Sequence, residues 1–234
     1  RHGVLADFAL ASYQIATRLY NQLLGTTLVE GVDGQRCGYL QVTEDSETLD
    51  YLKQFADCDL PFRVLNAEKA SDELGAPLTQ DALFFPDASW LHPAAVCRER
   101  LSHSRIQLHE FCGNCDFGSS TAGWQINDSL GNRYDSDMLV LATANQLTEA
   151  SETAWLPLQT IRGQTTHVPA TESSSGLRTA FCHEGYLAPP RLGIHCLGAT
   201  YGPQDTALDE RPADHRINLQ KLASALPSVS FSTT

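Results

Sequence analysis

The sequence predicts a mixed α/β protein, closer to α+β, in which helices with a few strands precede a mostly antiparallel sheet. Three observations carry that expectation. Small and apolar residues (Leu5, Phe8, Ala9, Ser12, Ile15, Ala16, Leu19, Tyr20, Leu23) recur at helical spacing near the start. Two short alternating segments flank the turn Asp128-Ser129-Leu130-Gly131, and the continuous apolar run 138–143 follows at once. From residue 160 onward, short β-rich segments alternate with proline and glycine.

In chain order, the first helix is expected over 5–23, with Gly25 as its stop. A strand is expected at 37–42, a helix at 47–55, a turn at Leu60-Pro61-Phe62 and a short helix at 67–74. The apolar segment 82–85 reads as a strand ended by Pro86-Asp87. Pro93 stands where a helix accepts its first residue, so a helix is expected through 101. Alternation predicts a strand at 106–111, and strands 124–127 and 133–135 form the hairpin. The run 138–143 (Met-Leu-Val-Leu-Ala-Thr) reads as a strand buried on both faces. Strands at 160–168, 178–182, 186–188 and 194–200 and a closing helix over 212–226 complete the reading.

Composition narrows the function classes. Hydrophobic residues make up 42% and charged residues 19%, values ordinary for a globular protein with a buried core. The longest apolar run, 138–142, is far short of the ~18 residues a membrane helix needs. The net charge of −12 argues against a nucleic-acid footprint on this chain itself. Neither an initiator methionine nor a signal-peptide core opens the sequence, which predicts a piece cut from a longer chain. An odd count of seven cysteines, scattered through apolar stretches, reads as reduced thiols. Cys112-Gly113-Asn114-Cys115 is one CxxC with no second pair or spaced histidines to complete a zinc site, so no metal is expected. His92, His167, His183 and His195 read as structural, and no catalytic residue is assigned.

Three stretches are candidates for chemistry. Ala142-Thr143-Ala144-Asn145 ends the apolar run with small residues, which let backbone approach a cofactor closely. Arg162-Gly163-Gln164 places a glycine inside a strand, where a bulge or close approach is expected. Arg162 suits an anionic ligand, although spacing alone favours a surface ion pair. Tyr186 and Tyr201 each lie on a short strand beside glycine or proline, where an aromatic face with a hydroxyl handle can line a pocket or fill a core. No Gly-x-Gly-x-x-Gly, nucleophile elbow or P-loop is present.

Together, the early helix with Tyr20, Arg36-Cys37-Gly38-Tyr39-Leu40-Gln41, the stretch from Phe85-Pro86-Asp87 through Trp90-Leu91-His92-Pro93, residues 139–145, Arg162-Gly163-Gln164, Glu184-Gly185-Tyr186-Leu187-Ala188-Pro189 and Leu197-Gly198-Ala199-Thr200-Tyr201 carry a resemblance. They are similar, in order and over most of the chain, to the FAD-dependent oxidoreductase modules of the bifunctional bacterial enzymes that complete 5-methylaminomethyl-2-thiouridine at the tRNA wobble position. Those modules belong to the D-amino-acid-oxidase-like superfamily. The resemblance implies a cytoplasmic two-part flavoprotein, an FAD-binding sheet plus an antiparallel substrate-domain sheet, here without the N-terminal βαβ unit. It implies FAD as cofactor, with Ala142, Thr143 and Ala144 along its binding strand and Tyr186, Tyr201 and Trp90 on the substrate side. The implied domains are 1–24 with 93–145 for FAD, 25–92 with 146–212 for substrate, and 213–234 as a return helix. The implied reaction removes the carboxymethyl group of a carboxymethylaminomethyl uridine as glyoxylate; a fused S-adenosylmethionine-dependent methyltransferase module then acts on the amine. A glycine- or sarcosine-type oxidase of free amines, or a non-catalytic truncated relative, are the alternatives. The chain departs from the family at Ala88-Ser89 and Ala144, where glycines are expected.

Overall fold

The computed structural model describes residues 3–42, 61–121, 123–148 and 150–231, so the helix expected at 47–55 lies outside the described residues. The chain forms two compact units, 1–100 with 161–234, and 101–160.

In the larger unit, α1 (Gly3–Leu23) ends at Gly25, whose φ of +81° is the left-handed stop expected there. Its stripe is only partly used. Leu23 is buried and Tyr13, Ala16 and Tyr20 are half-buried, while Phe8, Ile15 and Leu19 face outward. The period of 3.6 shows a helix but not which flank is covered. Leu23, Leu24 and Leu28 pack with Ala95 of α3 (Pro93–Leu101) into a small second core.

The main sheet gathers strands from both ends of the unit. β2 (Tyr39–Val42), β3 (Arg63–Leu65) and β4 (Ala82–Phe85) come from the first part. β10 (Thr166–Pro169), β11 (Ala180–Cys182), β12 (Tyr186–Leu187) and β13 (Ile194–Gly198) come from the second. The order is β10-β13-β12-β11-β2-β4-β3, and only the central β11–β2 pair is parallel. That pair stitches the two segments together. β1 (Gly34–Arg36) pairs with β5 (Ser89–Leu91), and β9 (Ile161–Arg162) pairs with β14 (Gly202–Pro203), as separate two-stranded ribbons.

Alternation along the strands divides the main sheet into two faces. Leu40, Phe84, Val168, Phe181, Leu187 and Leu197 are buried against α2 (Ala67–Leu74) and α4 (Pro212–Ala225), which contribute Ala70, Leu74 and Leu222. α2 is defined by its ends: Asn66 caps it by accepting from Lys69 N at 3.0 Å, and Gly75 closes it at φ +84°. A Cβ on Gly75 would also lie 2.4 Å from the Gly176 carbonyl, so only glycine fits.

His195 is fully buried in this core. Its ring bonds Ala188 O at 2.9 Å through Nδ1 and Ser174 Oγ at 3.1 Å through Nε2. Since a carbonyl only accepts, the proton sits on Nδ1, and Ser174 donates to Nε2. Burial holds His195 below the usual histidine pKa, and it does the same to His183, stacked on Phe181. A depressed histidine keeps its stabilising effect above its unfolded value of about 6.5 and loses it as pH falls through the folded value. Denaturation midpoints are therefore expected to decline between pH 7 and 5, less steeply in His195→Gln. An equal slope in both proteins would refute this role.

In the smaller unit, β6 (Cys115–Ser120), β7 (Gly123–Asp128) and β8 (Arg133–Ser136) form an antiparallel meander. Asp128 organises the expected turn: Oδ1 accepts from Leu130 N at 2.9 Å and Asn132 N at 2.8 Å, and Oδ2 accepts from Asn132 Nδ2 at 2.8 Å. The Asn132 amide, ahead of the backbone donors, lowers the Asp128 pKa.

Two expected strands are absent. Residues 106–111 and 138–143 form no ladder, and Met138 and Val140 are 76% and 78% exposed rather than buried on both faces. The apolar pattern is there, but no neighbouring strand among the described residues pairs with either segment. A strand needs a partner for its backbone donors and acceptors, and periodicity cannot report whether one exists.

Candidate functional site

The sheet face opposite the core carries a set of polar side chains. On β2, Tyr39 and Gln41 alternate with buried Leu40; on β11, Cys182 follows buried Phe181; on β12 and β13, Tyr186 and Cys196 alternate with buried Leu187 and Leu197. Register places Gln41, Cys182 and Tyr186 directly opposite one another on three adjacent strands. The result is a polar row across the centre of the sheet.

Local packing orients these groups. The Tyr39 ring lies 5.7 Å from Phe85, which also contacts Tyr13 and Phe62. Its hydroxyl donates to Gln41 Oε1 at 2.6 Å, and Gln41 Nε2 donates to Val42 O at 2.9 Å. Cys182 Sγ donates to Gly185 O at 3.1 Å. The Tyr186 hydroxyl lies 4.0 Å from Cys196 Sγ, and 38% of the residue is exposed. Burial first, then the Cys196 thiol, pushes Tyr186 up to about 12; burial and Cys182 push Tyr39 up as well. Both phenols stay protonated near neutral pH.

The other residues singled out in the sequence are more dispersed. Trp90 is on the β1–β5 ribbon, opposite Gln35, and its Nε1 donates to Gln35 Oε1 at 3.4 Å. Tyr201 lies between β13 and β14 and is 69% exposed. No hydrogen bond or ring contact among the described residues joins either one to Tyr186. Tyr39 and Gln41 belong to the row but were not singled out as site residues. Their signal was alternation in Tyr39-Leu40-Gln41-Val42, which separates two faces without naming the core.

Arg162 is a structural residue. It forms a close ion pair with Asp214, donates from Nε to Ala207 O at 2.9 Å, and donates from Nη2 to Gln164 Oε1 at 2.7 Å and Asp209 O at 2.6 Å. Side-chain exposures of 10% and 14% make this a nearly buried pair, not the surface pair expected from spacing. Cys112 and Cys115 belong to no group of three or more metal-ligating side chains among the described residues.

In the smaller unit, Ala142, Thr143 and Ala144 are exposed, and Ala144 opens a 3₁₀ turn (Ala144–Thr148) at φ +49°. This is left-handed backbone, which glycine enters without cost and alanine does not. An alanine therefore occupies a backbone conformation that suits glycine. Ala144→Gly is expected to stabilise by up to about 1 kcal/mol, read as a thermal midpoint equal to or above that of the parent. A clear drop would contradict the strain.

The model of the FAD dependent oxidoreductase family matches residues 2–233. The chain belongs to that family. Curated relatives include the tRNA 5-methylaminomethyl-2-thiouridine biosynthesis bifunctional protein MnmC of Chromobacterium violaceum, 35% identical over 97% of this chain and 35% of that protein. The protein of the same name from Stutzerimonas stutzeri is 37% identical over 92% of this chain and 33% of its own. The chain thus spans about a third of the length of these relatives. Among solved structures, glycine oxidase from Geobacillus kaustophilus matches with a TM-score of 0.72 at 18% identity, covering 98% of this chain and 65% of that one. Iminodiacetate oxidase from Chelativorans sp. BNC1 matches with a TM-score of 0.69 at 17% identity, covering 98% and 66%. The mixed α/β architecture is therefore that of this flavoenzyme family, whose cofactor is FAD.

The FAD dependent oxidoreductase family's cofactor fits the 142–144 stretch: small exposed residues and a left-handed turn leave backbone open to a ligand. No Gly-x-Gly-x-x-Gly occurs in the 234 residues, so a pyrophosphate cradle of that type is not among them.

Proposed function

We propose that the chain is part of a longer cytoplasmic flavoenzyme that oxidises a secondary amine. Its preferred substrate is the carboxymethylaminomethyl group of 5-carboxymethylaminomethyl-2-thiouridine at the tRNA wobble position. The observation that carries this reading is identity of 35–37% over nearly the whole chain to proteins named for that modification. Within this enzyme, residues 1–24 and 93–145 are assigned to the FAD domain, 25–92 and 146–212 to the substrate domain, and 213–234 to a return helix. A fused methyltransferase module using S-adenosylmethionine is the assigned partner, acting on the primary amine left behind.

FAD, when bound, supplies the acceptor for the hydride removed next to nitrogen. The chain's own contribution is positional. The rigid seven-stranded sheet offers Tyr186 and its neighbours as a flat face with hydroxyl handles, and α4 and α2 brace it from behind. Ala142, Thr143 and Ala144, on a stretch that pairs with no strand here, are assigned to contact with the cofactor, and Trp90 and Tyr201 to the margins of the substrate region. Among the described residues no helix is long and apolar enough to cross a membrane.

A second reading, oxidation of a free amine such as glycine or sarcosine, is favoured by the fold match to glycine oxidase. Glyoxylate release by the full-length protein separates the two. Release from tRNA bearing the carboxymethylaminomethyl group, at far higher kcat/KM than from glycine or sarcosine, is expected. Turnover of the free amines alone would select the second reading.

A further inference from the structure

The polar row holds one hydroxyl whose proton is already committed. Gln41 is pinned at both ends: Nε2 donates to Val42 O at 2.9 Å, and Oε1 receives the Tyr39 hydroxyl proton at 2.6 Å. An amide fixed in this way cannot flip to offer its NH₂ to Tyr39. The Tyr39 oxygen is therefore set as an acceptor, with its ring held by Phe85. Two strands away, the Tyr186 hydroxyl lies 4.0 Å from Cys196 Sγ, a long contact in which either group can donate, so its proton is available to a stronger acceptor. One half-buried face thus presents an acceptor on β2 and a donor on β12, the two strands that flank β11 and its Cys182.

We infer that the Tyr39–Gln41 pair is a specificity-determining element, with the Tyr39 oxygen accepting the substrate's amine N–H while Tyr186 donates to its carboxylate. This rests on the amine-oxidase reading proposed above. A neutral secondary amine has one N–H and one lone pair. Anchoring the N–H on a fixed acceptor turns the lone pair and the adjacent C–H away from the sheet. A tertiary amine has no N–H to give and leaves the Tyr39 oxygen unpaired in a partly desolvated site. The pair therefore selects N-carboxymethyl secondary amines over their N-methylated counterparts. Tyr39 acts by contact, and Gln41 is a positioning residue acting through Tyr39.

The test uses the full-length flavoprotein, with tRNA carrying the carboxymethylaminomethyl group as substrate and glyoxylate release as readout. Tyr39→Phe and Gln41→Leu are each expected to lower kcat/KM about tenfold, mainly through KM, with bound flavin unchanged. Because the two residues form one element, the double variant is expected to be no worse than either single variant. Single variants within about twofold of the parent, or losses that multiply in the double variant, would overturn the pair's role while the amine-oxidase reading stands. A parent protein that releases glyoxylate from no secondary amine would sink both.

Discussion

Replacing Phe181, the largest fully buried side chain among the described residues, by alanine is expected to cost about 3–5 kcal/mol. Phe181 is 1% exposed on β11, opposite Leu187 on one side and Leu40 on the other, with the His183 ring stacked 5.4 Å away. It sits at the parallel pair that joins the two segments of the sheet, so the cavity would open where neighbouring strands are least able to collapse. In a unit of this size the loss corresponds to a thermal midpoint lower by roughly 6–20 °C. Phe111 supplies the control. It is the same residue type but 93% exposed, and Phe111→Ala is expected to change stability by no more than about 0.5 kcal/mol. Equal effects at the two positions would show that the assigned core is wrong.

The second large effect belongs to the Arg162–Asp214 pair. Asp214→Ala leaves a guanidinium nearly buried with only carbonyl and amide partners, at an expected cost of about 3 kcal/mol. The damage should spread, because Gln164 ties the same network to the start of α4. Its Oε1 accepts from Arg211 N at 2.9 Å and its Nε2 donates to Arg211 O at 3.0 Å. A paired replacement, Arg162→Met with Asp214→Leu, removes both charges and is expected to recover much of the loss. If the single and double variants are equally unstable in urea titrations, desolvated charge is not the cause. Either result bears on function only indirectly, since Arg162 is occupied holding α4 to the sheet.

What could be read in the sequence depended on whether the deciding interaction was local. α2 was legible from its Glu68-Lys69-Ala70 start, and Asn66 and Gly75 at its ends are the local interactions that bound it. α3 was legible from Pro93 at its first position, and the hairpin of the smaller unit from Asp128 and Gly131. The segments 106–111 and 138–143 have strand-like sequences and remain unpaired, because pairing depends on a distant partner. Arg162 was misjudged for the same reason: its partner is 52 positions away, and the helix that buries it cannot be inferred from Arg162-Gly163-Gln164. Tyr186 was singled out from its setting between Gly185 and Leu187. Tyr39 and Gln41 emerged only when the register set them beside Cys182 and Tyr186. The family resemblance rested on short segments with glycine at fixed points, and several of them, around Gly38, Gly185 and Gly198, border or form strands of the seven-stranded sheet, while the others lie on the separate ribbons.

In the proposed function, this sheet serves a flavin that takes electrons from a secondary amine. The most direct test is the absorbance spectrum of the purified full-length protein, before and after anaerobic mixing with tRNA bearing the carboxymethylaminomethyl group. A yellow protein is expected, whose flavin band bleaches on mixing, with glyoxylate appearing in step. A protein that binds no flavin at full length, or a bound flavin that no secondary amine bleaches, would contradict it.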